Sequence, residues 1–109
     1  MRPNVPKLIF AVLLSVYFLW IAWDPMQGSF LDNVDLLICE ASYTREREPE
    51  GIQHLSARQA GELARRSQVG QLVLTHQLPG ADVDAHALEG ADAFGRPVSV
   101  AHEHVVYTV

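Results

Sequence analysis

Residues 8–23, LIFAVLLSVYFLWIAW, are apolar apart from Ser15, and no other feature restricts the chain as much. An apolar run of this density has to be buried in protein or placed in a membrane. Arg2 and Lys7 precede it and Asp24-Pro25 ends it. A spanning helix needs roughly 20 apolar residues, so this run is short unless Trp20 and Trp23 anchor at the interface. A basic start before an apolar middle is also the layout of a secretory signal, although no clear A-x-A follows. A buried strand, a core helix or a mis-assigned start are the remaining readings. Residues 1–30 are therefore set apart as an apolar N-terminal segment: membrane helix, signal or frameshifted sequence. If they are spurious the protein is cytoplasmic, and otherwise it contacts the membrane through residues 8–23.

The other 79 residues, 31–109, fit a single domain near the size at which a lone core is marginally stable. They carry 6 basic and 12 acidic groups, against a net charge of −5 for the whole chain. That sign excludes a general nucleic-acid coat, which needs a positive field over its surface. The single cysteine, Cys39, excludes an internal disulfide framework and an all-cysteine zinc site.

Short alternating elements follow Gly28. Val34–Cys39 is a compact apolar run and reads as a buried strand. Residues 44–51, TREREPEG, read as an exposed loop. Ser56 with Gln59 forms a capping box, which predicts a helix from Ala57 to about Ser67. Its inward face, Ala57, Ala60, Gly61 and Ala64, is small enough to lie close on a sheet. Gln71–Thr75 is a second buried strand, Pro79-Gly80 a turn, and residues 83–94 a second helix. Pro97–Ala101 and Val105–Val109 read as a closing hairpin. Strand, helix, strand, helix, strand is an α/β layout.

Several side chains have the chemistry for a site. His76 follows the strand 71–75 at its C-terminal end, where α/β proteins place ligands. His54 stands just before the Ser56 cap, where an imidazole can serve as a general acid. Glu40 ends a buried strand, an unusual place for a carboxylate without a partner. His102 and His104 would share one face of a strand, a possible metal half-site, or else lie in a solvated turn. His86 sits in a polar helix with no role assigned. Cys39 reads as a small core residue. No Walker loop, G-x-G-x-x-G, H-E-x-x-H or G-x-S-x-G occurs.

Taken together, VDLLICEASY (34–43) and HLSARQAGELARRSQVGQLVLTH (54–76) resemble the C-terminal half of metallo-β-lactamase-fold hydrolases, in the ribonuclease Z-like branch. Glu40-Ala-Ser-Tyr43 looks like that branch's Glu-Ala-Thr/Ser-Phe/Tyr loop. His54-Leu-Ser56 looks like its His-x-Thr/Ser turn, and Leu74-Thr-His76 like its Leu-Thr-His strand end. Phe94–Ala101 looks like its closing strands. The resemblance, which covers Leu31 to Val109, implies the C-terminal half of an αββα sandwich. It implies zinc, two ions in the intact family, with His76 as a metal ligand. It also implies a phosphodiester substrate, with His54 protonating the leaving group or stabilising its charge. Glu40 is expected to fix its loop rather than to take part in catalysis.

The family's His-x-His-x-Asp-His signature, its middle histidine and its Gly-Asp-Thr/Ser turn are absent from the 109 residues. The expectation is therefore a truncated metal-dependent hydrolase, inactive as this chain. A small membrane-anchored binding module and one half of a split hydrolase are the alternatives. Half a sandwich should also leave a sheet face or edge open, which predicts association through the uncovered sheet.

Overall fold

The computed structural model describes residues 8–11, 31–47 and 54–109. The apolar run after Asp35 is strand β2 (Leu36–Glu40), and the run after Gly70 is β3 (Gln71–Thr75). Between them Ser56 opens helix α1 (Ala57–Arg66) with both halves of the expected capping box. The Ser56 Oγ accepts the Gln59 N–H at 3.2 Å, and the Gln59 side chain accepts the Ser56 N–H at 2.9 Å. Asp82 caps helix α2 (Val83–Phe94), accepting the Ala85 N–H at 3.0 Å, and Gly95 ends it in the left-handed region at φ 83°. Strand β4 is two residues long, Ser99–Val100.

β2 and β3 are parallel, pairing Leu37 with Leu72 and Cys39 with Leu74, and β4 is parallel to β3. Both crossovers therefore run through a helix, as parallel neighbours require. The core lies between the helices and one sheet face: Leu37, Cys39, Leu72 and Leu74 meet Ala57, Ala60, Leu63, Ala64 and Phe94. The small-residue face predicted for α1 is buried, with Leu63 added to it. Gly61 shows why small residues are needed. A Cβ there would lie 2.5 Å from the Gly90 carbonyl oxygen and 2.8 Å from the Ala93 Cβ, so α1 and α2 touch nearly backbone to backbone.

The apolar N-terminal run contributes to this sheet. Its first four residues form strand β1 (Leu8–Ala11), parallel to β2 with Leu8 opposite Leu36 and Ala11 opposite Cys39. The sheet order is β1-β2-β3-β4. Residues 12–30 lie outside the described residues, and with them most of the expected membrane or signal segment. Among the described residues no helix is long and apolar enough to cross a membrane.

One expectation needs correction. The closing hairpin does not form: β4 joins the sheet parallel, and residues 101–109 contain no strand. The chain turns at His104, with φ 64°, and Val105, Val106 and Val109 are exposed. β-branched residues adopt a strand only where a partner and a buried face exist, and this tail has neither among the described residues. His102 and His104 are accordingly exposed and do not form a strand face. On the side of the sheet away from the helices Leu36 and Val73 are 4% and 0% exposed, while Ile38, level with Val73, is partly exposed.

Two consequences are measurable. In an unobstructed helix Gly→Ala is favourable by about 0.8–1 kcal/mol. Here the added methyl meets a backbone carbonyl that cannot rotate away. Gly61→Ala is therefore expected to lower unfolding stability by about 1–3 kcal/mol in urea titration. Cys39 is fully buried, and burial together with the charge of Glu40 pushes its thiol far above the ordinary value of 9.0. It should react with a thiol reagent only after unfolding. As pH rises through the ordinary thiol range only the unfolded chain ionises, so stability falls; Cys39→Ala removes that part of the slope.

Candidate metal and proton-transfer site

The site gathers at the C-terminal ends of β2 and β3, where the chain leaves the sheet. Ala41 N–H donates to the Thr75 carbonyl at 2.8 Å, which keeps the strand ends together. On its other side the loop 41–43 is stitched to the segment entering α1. Ser42 N–H donates to the Leu55 carbonyl at 2.8 Å, Ala57 N–H donates to the Tyr43 carbonyl at 2.9 Å, and Tyr43 and Ser56 form an isolated parallel bridge. These backbone bonds bring residue 54 and residue 76 to Glu40.

The Glu40 side chain is 1% exposed. Its Oε2 lies 3.0 Å from His54 Nδ1 and 3.6 Å from His76 Nδ1, and its Oε1 accepts the Leu55 N–H at 3.3 Å. A carboxylate can only accept, so the His54 Nδ1 carries the proton in that bond. The Nε2 of His54 is then the nitrogen available to a reacting group. The two imidazole centroids are 5.3 Å apart, and their side chains are 39% and 45% exposed for His54 and His76. One wall of the site is thus a buried anion, and the other is two solvent-accessible rings.

His76 has a backbone φ of 62°, uncommon for a residue with a side chain. Ser42, 2% exposed, lies against it, with its Oγ 2.9 Å from His76 Nδ1 and donating to the His76 carbonyl at 3.0 Å. Beside Ser42 opens a cleft of about 250 Å³ lined in part by Tyr43, Arg47, Pro79, Asp82 and His86.

The residue types fit a divalent ion. One ligand atom from each of Glu40, His54 and His76 lies within 4.8 Å of the others, and imidazole nitrogen with carboxylate oxygen is a donor set suited to zinc and its neighbours. The two histidines singled out in the sequence, His54 and His76, are therefore brought together. His102 and His104 take no part in a three-residue cluster among the described residues. Glu40 does fix its loop, through Leu55. It also holds His54, a contact that sequence reasoning missed although a carboxylate ending a buried strand was the signal for a partner. His86, which the sequence gives no role, belongs to the interior. It is 2% exposed, with Nδ1 2.7 Å from the Asp82 carbonyl, and lies on the buried stripe His86, Gly90, Phe94 of α2.

No protein-family model matches the chain. Over 65 residues it is 37% identical to the ribonuclease Z of Clostridioides difficile (strain 630), a match covering 57% of this chain and 21% of that protein. Among solved structures it is similar to the metallo-beta-lactamase fold protein YhfI from Bacillus subtilis. The TM-score is 0.67 at 19% sequence identity, over 92% of this chain and 38% of that one. The chain spans about a fifth of the length of the curated relative it matches. In sequence the chain is thus similar to a ribonuclease Z over those 65 residues, and in fold it is similar to a metallo-beta-lactamase fold protein.

Proposed function

We propose that Glu40, His54 and His76 form one side of the site of a metal-dependent phosphodiester hydrolase. The observation that carries this reading is the 3.0 Å bond from His54 to a buried carboxylate, placed beside a second imidazole at a sheet's C-terminal end. His76 is the metal ligand. His54 is the proton donor to the departing oxygen, and Glu40 is its positioning residue: it holds the ring by Nδ1 and turns Nε2 toward the reacting group. The chemistry a pair of bound zinc ions supplies in such a site is a hydroxide nucleophile and charge stabilisation at the phosphoryl oxygens. The similarity to a ribonuclease Z supports a nucleic-acid phosphodiester as substrate. With a net charge of −5, substrate binding depends on the local cations and metal rather than on a basic surface.

The 109 residues do not contain the His-x-His-x-Asp-His signature that completes the dinuclear site of the hydrolases they resemble. Acting alone they are an inactive part of that site. Incubated with zinc or manganese and bis(p-nitrophenyl) phosphate, the chain is expected to give no turnover above buffer. Turnover abolished by both His54→Ala and His76→Ala would show that it is complete in itself.

Calorimetric titration with zinc separates the two histidine roles. His76→Ala is expected to weaken zinc binding tenfold or more, whereas His54→Ala leaves it within about threefold, since loss of a ligand outweighs loss of a neighbour. Equal losses in the two variants would instead make all three side chains ligands of one ion. That result would remove His54 from proton transfer.

A further inference from the structure

We propose that Ser42 fixes His76 as the neutral tautomer with its proton on Nδ1, leaving Nε2 as the ring's one donor lone pair. That Nε2 then meets a metal rests on the reading of His76 given above. The argument starts from a count of protons. The Ser42 hydroxyl is buried and faces two atoms of the same residue, the His76 carbonyl oxygen at 3.0 Å and Nδ1 at 2.9 Å. A hydroxyl has one proton to give, and a carbonyl oxygen can only accept. The proton goes to the carbonyl, because directing it to Nδ1 would leave two oxygen lone pairs facing each other at 3.0 Å. The Ser42 Oγ then presents a lone pair to Nδ1, and a good bond at that distance requires an N–H.

The surroundings push the same way. Glu40 Oε2 lies 3.6 Å from the same Nδ1, too far for a hydrogen bond but close enough for its charge to favour a proton over a lone pair there. Ser42 itself is held by its N–H bond to the Leu55 carbonyl at 2.8 Å. The left-handed backbone of His76, φ 62°, also becomes intelligible. It turns the carbonyl and the ring of one residue toward a single hydroxyl, so one group restrains backbone and imidazole together. The tautomer so selected is the one that free histidine in water disfavours, and metal-bound histidines are commonly oriented by such a bond from their second nitrogen.

The test is long-range proton–nitrogen NMR on the nitrogen-15-labelled full chain, metal-free, at a pH where the imidazoles are neutral. Wild type is expected to show His76 with a pyrrole-type Nδ1 and a pyridine-type Nε2. Ser42→Ala should move the ring toward the opposite tautomer and weaken binding of zinc alone by about 10–100-fold, and Ser42→Thr should restore both. A wild-type spectrum with the proton on Nε2 overturns the proposal whatever the variants do. So does a folded Ser42→Ala chain with an unchanged tautomer. A wild type with the expected tautomer but no zinc at His76 would sink the metal reading and leave the Ser42 restraint standing.

Discussion

A carboxylate taken out of water has to be repaid by hydrogen bonds or opposite charge, and Glu40 is 1% exposed. Its two oxygens are satisfied from a single short segment, one by the His54 ring and the other by the Leu55 N–H. That requirement constrains much of the local structure. The segment has to run alongside the loop leaving β2, which the Ser42–Leu55 and Tyr43–Ala57 backbone bonds arrange. Once Leu55 is fixed, Ser56 is in place to cap α1. The capping box is therefore both a helix start and the far end of the carboxylate's support. Stability and chemistry share these residues, and a substitution at Glu40 disturbs a helix terminus as well as an imidazole.

The fold was legible wherever the deciding signal was local. The Ser56–Gln59 box, the alanine-rich face of α1 and the apolar run 71–75 each encode their element within a few residues, and each is found as expected. The failures were at positions decided by distant neighbours. Val105–Val109 has a strand's composition and, among the described residues, no strand beside it. Leu8–Ala11 reads as the opening of an apolar run that suits a membrane equally well, yet it pairs residue for residue with Leu36–Cys39. Nothing in a one-dimensional pattern distinguishes an apolar strand in a parallel sheet from the start of a span.

The site was legible in its residue types and not in its bonds. His54 and His76 stand 22 positions apart in the sequence and 5.3 Å apart as rings, and their place at strand and helix boundaries was the clue. The sequence reads Glu40 as a loop anchor, which accounts for one of its oxygens. Its second partner lies 14 residues away on another element, and Ser42 reaches His76 across 34. Such contacts depend on which strand ends the sheet brings level. Register, rather than periodicity, decides them.

That register also determines which groups become reactive. In a parallel sheet the strand C-termini all emerge on one edge, so chemistry carried on β2 and on β3 converges without any long connection. Pairing Glu40 with Thr75 puts the carboxylate level with the last residue of β3, one position before His76. A slip of one residue in that pairing would move the carboxylate by a strand step of about 3.3 Å and turn Leu37 and Cys39 out of the core. The apolar contacts of Leu37, Cys39, Leu72 and Leu74 beneath α1 and α2 therefore do more than stabilise the sheet. By resisting that slip they hold the His54 and His76 rings within reach of one buried anion.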